Sequence, residues 1–435
     1  GLTFASFQAL GLDVGLAMAR TARDAGCSSF WTAETVGTEA FATLGAVAAG
    51  VGGLDLGTGV LALQLRTPQV AAMGAATLQA LAPDREVLLG VGISSPVVVG
   101  RWHGAEYGTR PVAQVREFLE LTAACLSGEP VTYDGEFYSA NRFRLGVRLH
   151  GPRPQLVLGA LNQRMLRLAG ELADGVLLNY LPASAVPWCV EQVRAGEQFA
   201  QREPGSCRIH AYVHVGVCDP ERARPSGRKD LFSYAVVDAY ARAFERAGFE
   251  DEIAALRAAH AAGDREAAVA AVSDRMVDAI DICGDAAHVA AAVQEYRDAG
   301  VESPVIMPMP WGEDRVATEE PLELRLAWPG ATAQRIWVTM RTPGSDFELA
   351  AGYALAEGLV PGAGLRTVAY CTDADLTPEQ EFNVVTVTLA APPARDPGHR
   401  HGSYGAGSAC GVCGKDSIAD VLDVPHASRW AGSLT

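Results

Sequence analysis

The sequence predicts an α/β fold, a (β/α)8 TIM barrel, followed by a smaller, incomplete α+β domain. Three observations carry that prediction. Over the first 310 residues, eight short apolar runs each precede helical sequence. The runs are continuous rather than alternating, as parallel strands covered on both faces should be. After Trp311 the texture changes. Regular alternation alone allows a doubly wound sheet or a closed barrel, and eight units favour the barrel.

Taken in order, Leu2–Ser6 reads as a strand and Leu12–Ala25 as a helix closed by Gly26, a residue suited to the left-handed turn after a helix. Ser28–Ala33 is a second strand and Glu39–Ala49 a second helix. Leu54–Val60 follows as a strand, and Thr67-Pro68 opens a helix to Leu81, with threonine as cap and proline at the first helical position. Glu86–Val91 is the fourth strand and Val112–Leu126 the next helix. Gln155–Leu158, Val176–Leu178, Ile209–Gly216 and Pro304–Met307 complete the eight. Beyond the boundary, Glu320–Leu326, Ile336–Met340 and Asn383–Leu389 read as strands, with alternation in the last. Asp346–Gly358 reads as a helix, and the stretch 408–421 as a turn entering a helix. The expected domains are 1–311 and 316–435.

The chain has 435 residues, 49% apolar and 20% charged, with a net charge of −16 and no basic block. Nucleic acid is therefore not an expected partner. The nine cysteines show no disulfide-framework spacing, which fits a reducing cytoplasm. Leu44–Leu65 is apolar, but its glycines break it into a buried helix and strand, so no membrane span is expected. No secretory signal opens the chain. Strand-like sequence begins at Gly1, as in a chain cropped from a longer one.

Chemistry in such a barrel belongs to the loops after the strand C-terminal ends. Candidates there are Ser6, Glu34, Gly59-Val60-Leu61, Gly92-Ile93-Ser94-Ser95, Gly159-Ala160-Leu161-Asn162 and Asn179-Tyr180. The glycine turn at Gly159, entering a helix at Asn162 with Arg164 nearby, is a phosphate seat or an ordinary strand–helix turn. Glu34 is a general acid or a surface carboxylate. Trp31 is core or cofactor contact, and His103 a site group or a structural histidine. Gly90-Val91-Gly92 is too short for a dinucleotide fingerprint. No metal site is expected.

Several of these segments carry a resemblance. LGTGVLALQLRTP, AATLQALAPDREVLLGVGISSP, RWHGAEYGTRP, LGALNQRMLRLAGELADGVLLNYL and GDAAHVAAAVQEYRDAGVESPVIMPM together resemble the luciferase-like monooxygenase superfamily. They look most like its deazaflavin-dependent branch, which includes methylenetetrahydromethanopterin reductase. The resemblance implies hydride transfer between coenzyme F420 and an unknown small organic substrate. The alternative cofactor is flavin mononucleotide (FMN), in a luciferase-like monooxygenase. In relatives a non-prolyl cis peptide ends the third strand and props the cofactor ring. The matching bond is Gly59–Val60. By the same resemblance Gly92, Ile93 and Ser94 approach the cofactor tail, and Gly159, Ala160 and Asn162 meet its phosphate. Trp31 lies nearby, and Glu34 is the candidate acid. Assembly as a homodimer is left open.

Cys410-Gly411-Val412-Cys413 is the sharpest motif of the second domain. A helix N-terminus and Lys415 would favour the thiolate there. The pair suits a persulfide carrier, a redox disulfide, inert thiols or, with His399 and His401, a zinc site. EEPLELRL, VTMRTPGSDFELAAGYALAEGLV, FNVVTVTL and SACGVCGKDSI are similar to the formate dehydrogenase accessory sulfurtransferases, the FdhD/NarQ family. That resemblance implies sulfur received from a cysteine desulfurase, with Cys410 as carrier. The client is a molybdenum bis-guanine-dinucleotide cofactor destined for formate dehydrogenase. The family continues well past the CxxC helix, whereas this chain stops at Thr435. Autonomous sulfurtransferase activity is therefore not expected, and the segment reads as part of a longer fusion or as a remnant. Primary action as a formate dehydrogenase accessory protein is the alternative reading of the whole.

Overall fold

Eight parallel strands close on themselves in the first part of the chain: β1 (Leu2–Thr3), β2 (Ser29–Thr32), β3 (Asp55–Thr58), β4 (Val87–Gly92), β5 (Gln155–Gly159), β6 (Gly175–Leu178), β7 (Arg208–Val217) and β9 (Ser303–Pro308). Each pairs with the next, and β9 lies between β7 and β1, so the ring has no free edge. β8 (Asp281–Gly284) is an addition. It pairs with the upper half of β7, from His214 to Val217, above the point where β6 ends. The computed structural model describes residues 1–149, 151–311, 320–341, 346–362, 364–371 and 383–395. The chain divides into two compact units, Gly1–Asp314 and Arg315–Thr435.

Helices α1 (Leu12–Asp24), α2 (Ala40–Gly50), α3 (Pro68–Leu81), α4 (Pro111–Leu126), α5 (Gln163–Leu172) and α6 (Val186–Phe199) follow the first six strands. Local chemistry sets their ends. Thr67 Oγ1 accepts from the Val70 N–H to cap α3, with Pro68 just inside. Gly26, at φ +80°, closes α1 while the Cys27 N–H reaches back to the Ala22 carbonyl. Leu2–Ser6 ends as a strand at Thr3, because Ala5–Leu10 winds into a 3-10 turn.

Two apolar layers result. Side chains leaving the barrel outward, among them Phe30, Leu89, Leu158 and Val213, pack under the helices. Those pointing inward form a separate plug of Trp31, Leu88, Val157, Leu177, Tyr212 and Val305. The barrel is thus a filled core with its working surface at the rim. Between β7 and β9 a helical excursion begins with α7 (Pro220–Ala235) and builds a satellite core around Leu231, Phe244 and Met276.

The second unit holds a mixed four-stranded sheet of Glu320–Trp328, Ala331–Arg341, Leu365–Tyr370 and Val384–Leu389, with the helix Asp346–Ala356. Leu322, Leu324 and Leu326 on one strand, and Val385, Val387 and Leu389 on its parallel neighbour, make the buried face. The Arg341 guanidinium pairs with buried Asp346 at 2.8 Å, and Tyr370 Oη donates to the same carboxylate. Cys410, Cys413, Lys415, His399 and His401 lie outside the described residues. No described helix is long and apolar enough to cross a membrane.

Candidate active site at the barrel mouth

The C-terminal end of β3 supplies the floor. The Gly59–Val60 peptide is cis, as expected for that position. Tyr212 Oη, rising from β7 inside the barrel, donates to the Gly59 carbonyl at 3.0 Å and accepts from Thr3 Oγ1 at 3.4 Å. Only glycine fits at 59, where a Cβ would stand 1.9 Å from that phenol oxygen. Val60 then lies between two other bare backbones. A Cβ on Gly92 would meet Val60 Cγ2 at 2.8 Å, and one on Gly159 would meet Val60 Cγ1 at 3.2 Å. Four residues singled out from sequence, Gly59, Val60, Gly92 and Gly159, therefore form one surface: a half-buried valine collared by glycines.

Ile93 and Ser94 continue along this edge. Gln64 Nε2 donates to the Ile93 carbonyl at 3.0 Å, and Ser94 adopts φ +51°. On the far side, the Ala160 N–H bonds the Leu177 carbonyl at 3.2 Å. Asn162 stands at the N-cap position of α5 without a side-chain cap. Its Nδ2 donates to the Ala239 carbonyl, and its Oδ1 accepts from Arg246. Arg246 also donates to the Leu161 carbonyl at 2.9 Å and stacks over Trp188, 4.0 Å from the ring centroid. A guanidinium thus sits at the N-terminal end of a helix whose first N–H groups lack a side-chain cap, a suitable place for an anion. Arg164 is exposed on the first turn of α5.

Other sequence candidates sit differently. Trp31 is completely buried within the barrel plug, and its Nε1–H bonds Ser29 Oγ, toward the strand's beginning. It is packed beneath the floor. Glu34 lies at the rim, but Arg66 Nη2 holds it at 2.6 Å and also reaches Glu39 at 2.5 Å. Such a carboxylate is held in place and suits orienting a polar group. His103 Nε2 faces the Thr35 carbonyl at 2.6 Å, the structural-histidine arrangement. Ser6 Oγ contacts Met309 Sδ at 4.0 Å.

Sequence reasoning passed over Tyr212, Arg246 and, beside β7, the partners of the singled-out Asn179-Tyr180 pair: His214, Asp230 and Asp281. His214 Nδ1 faces Asp281 Oδ1 at 2.9 Å, and its Nε2 faces Asn179 Oδ1 at 2.8 Å. Tyr180 Oη donates to Asp230 Oδ2 at 2.9 Å. Burial, and then the charge of Asp281, push the Asp230 carboxyl up to about 6. One signal was available: in IHAYVHV, residues 210, 212 and 214 share one face of a strand whose other face is apolar.

Comparison with known proteins fits this geometry. A protein of Mycobacterium tuberculosis, provisionally named a coenzyme F420-dependent oxidoreductase, is 29% identical over 309 residues, covering 66% of this chain and 88% of that one. The structure of coenzyme F420-dependent tetrahydromethanopterin reductase from Methanopyrus kandleri superposes with a TM-score of 0.61 at 23% identity, over 72% of this chain and 94% of that one, a likeness of fold. The sulfur carrier protein FdhD of Mycolicibacterium paratuberculosis is 38% identical over 123 residues, 28% of this chain. The matched stretch spans 43% of that relative's length. The family model described as luciferase-like monooxygenase matches residues 7–303, and the chain belongs to that family.

Proposed function

We propose that the barrel transfers a hydride between coenzyme F420 and a small organic substrate at its mouth. The observation that carries this reading is the Val60 floor, collared by Gly92 and Gly159 and anchored through the Gly59 carbonyl to Tyr212. The bare backbones of Gly92 and Gly159 seat the Val60 side chain and so fix the surface offered to a flat ring. When bound, the deazaflavin supplies a two-electron hydride carrier. The chain's own residues then position and exclude. Val60 buttresses the ring, while Gly92, Ile93 and Ser94 approach the cofactor tail. Gly159, Ala160, Asn162 and Arg246 hold the phosphate at the α5 N-terminus. Trp31 supports the floor from below. Glu34, fixed by Arg66, orients the substrate or holds its proton. Preorganised placement of this kind accounts for much of the rate of a hydride transfer.

The test is an anaerobic titration of the protein with coenzyme F420, followed by deazaflavin fluorescence, beside an identical titration with FMN. Saturable binding of the deazaflavin, weakened at least tenfold by Gly159→Val, supports the proposal. Tight FMN binding with no deazaflavin binding overturns it in favour of a flavin monooxygenase.

A second reading concerns residues 316–435. The FdhD match supports a role in sulfur transfer toward a molybdenum bis-guanine-dinucleotide cofactor. In that reading Cys410 carries sulfur from a cysteine desulfurase, Cys413 assists, and formate dehydrogenase is the recipient. Mass spectrometry after incubation with a desulfurase and cysteine tests it. A persulfide on Cys410 is expected, and an unmodified thiol overturns the reading.

A further inference from the structure

The polar cluster beside β7, made of His214, Asp230, Asp281, Asn179 and Tyr180, contains no lysine or arginine. Alternate residues of β7 point into the barrel. Tyr212 belongs to the inner plug, while Ile209, Ala211, Val213 and Val215 pack outward. His214 is thus the last inward side chain of β7, since Gly216 beyond it has none, and it stands two positions above the tyrosine that anchors Gly59. The Asn179 amide next to it has a defined orientation, because its Oδ1 also accepts from the Tyr180 backbone N–H at 3.0 Å. An oxygen therefore faces His214 Nε2, and that nitrogen carries a proton. The remaining nitrogen, Nδ1, lies 2.9 Å from Asp281 Oδ1. Two lone pairs cannot meet at that distance, so a proton or a metal cation must lie between or beside them.

The surroundings ask for more than one proton. His214 and Asp281 side chains are 1% and 0% exposed. Asp281 Oδ2 is buried and has no hydrogen-bond partner among the described residues. Half-buried Asp230, its Oδ2 held by Tyr180, brings a second carboxylate. One ligand atom from each of His214, Asp230 and Asp281 lies within 4.8 Å of the other two. That spacing is about twice a metal–ligand bond of roughly 2.0–2.4 Å.

We propose that His214, Asp230 and Asp281 form a site for one divalent first-row cation at the barrel mouth, with Asn179 fixing the histidine tautomer. The donor set is one imidazole nitrogen and two carboxylates, which suits Mn²⁺ or Zn²⁺. Asn179 has the role of an outer partner that takes the ligand histidine's other N–H. Two carboxylates and a neutral imidazole balance the double charge in a site with little access to water. Three protein ligands leave a coordination position for a further oxygen ligand.

The test uses the full chain, stripped with a chelator and titrated with Mn²⁺ alone. Free Mn²⁺ is followed by electron paramagnetic resonance. Manganese is chosen because thiols bind it poorly, which keeps Cys410 and Cys413 out of the count. One site per chain is expected, with affinity at least tenfold weaker in Asp230→Asn and in Asp281→Asn. Should Asp281→Asn fail to fold, Asp230→Asn decides alone, since that residue is only half-buried. Zinc binding to the Cys410→Ser, Cys413→Ser double variant should show the same dependence on Asp230. Absence of saturable Mn²⁺ binding to the wild type, or binding unchanged in Asp230→Asn, overturns the proposal and leaves a proton in that position. Neither result bears on deazaflavin binding, which is read separately by fluorescence.

Discussion

Tyr212 and Gly59 are 153 residues apart in the chain, yet the Tyr212 hydroxyl donates to the Gly59 carbonyl at 3.0 Å inside the barrel. This bond ties the seventh strand to the loop that forms the floor of the mouth. Replacing Tyr212 with Phe leaves a buried carbonyl unpaired, a loss of about 1–3 kcal/mol. Urea denaturation should show that loss. The same variant should bind coenzyme F420 several-fold more weakly, because the loop carrying Val60 loses its anchor. Unchanged binding alongside reduced stability would confine Tyr212 to a structural role.

The collar around Val60 predicts a paired result. In Gly92→Ala the new methyl meets Val60 Cγ2 at 2.8 Å, and overpacking of this kind costs about 1–3 kcal/mol. Deazaflavin affinity should fall about tenfold. Adding Val60→Ala removes the clashing methyls, so the double variant should recover stability relative to Gly92→Ala. A double-mutant cycle measures the coupling. If the two effects simply add, the valine and the glycine are not the contact that limits the mouth.

The barrel was legible because strands buried on both faces are written as continuous apolar runs, and all eight strands sit where those runs do. Several described elements were not, β8 and Leu365–Tyr370 among them. β8, Asp281–Gly284, is four residues long and flanked by helices, so it left no run to find. Leu365–Tyr370 has no buried residue and so no apolar face to declare itself. The same division holds at the mouth. Glycines at strand ends mark close backbone approach and could be picked out locally. Tyr212, Arg246 and Asp281 act through partners 153, 85 and 67 residues away, which no local pattern encodes.

Arg246 supplies a charge to the α5 N-terminus from the surface, so its removal should spare the fold. Arg246→Ala is expected to weaken coenzyme F420 binding about tenfold, or about 1.4 kcal/mol, with little change in melting temperature. Binding by the wild type should also weaken with salt, and more steeply than binding by the variant. Equal salt dependence in the two proteins would remove Arg246 from the phosphate seat.

In the second unit, Asp346 is buried against Arg341, which it meets through both carboxylate oxygens at 2.8 and 2.9 Å. Asp346→Asn takes one buried carboxylate away from the guanidinium and should lower the stability of this unit by up to about 3–5 kcal/mol. Because the barrel has its own core, thermal unfolding should then separate into two transitions, the lower one belonging to residues 320–395. A single transition that moves as a whole would mean that the two units unfold together.

His210 predicts the acid response of the barrel. Its imidazole lies in the plug, with ring centroids 5.4 Å apart from Trp31. Burial, aided by the charge of Arg208, pushes it down to about 3 from 6.5. Nδ1 is buried without a hydrogen-bond partner among the described residues, so nothing there rewards the charged form. As pH falls below about 6.5, the unfolded chain takes up a proton at this residue and the folded chain does not. Stability must therefore fall with decreasing pH down to about 3, by roughly 1.4 kcal/mol per unit. His210→Gln removes the titrating ring. Between pH 6.5 and 4.5 the wild type should lose about 2–3 kcal/mol more than this variant, as measured by urea denaturation at the two pH values. Parallel losses in the two proteins would mean that His210 is protonated in the folded barrel, and that its neighbours admit the charge.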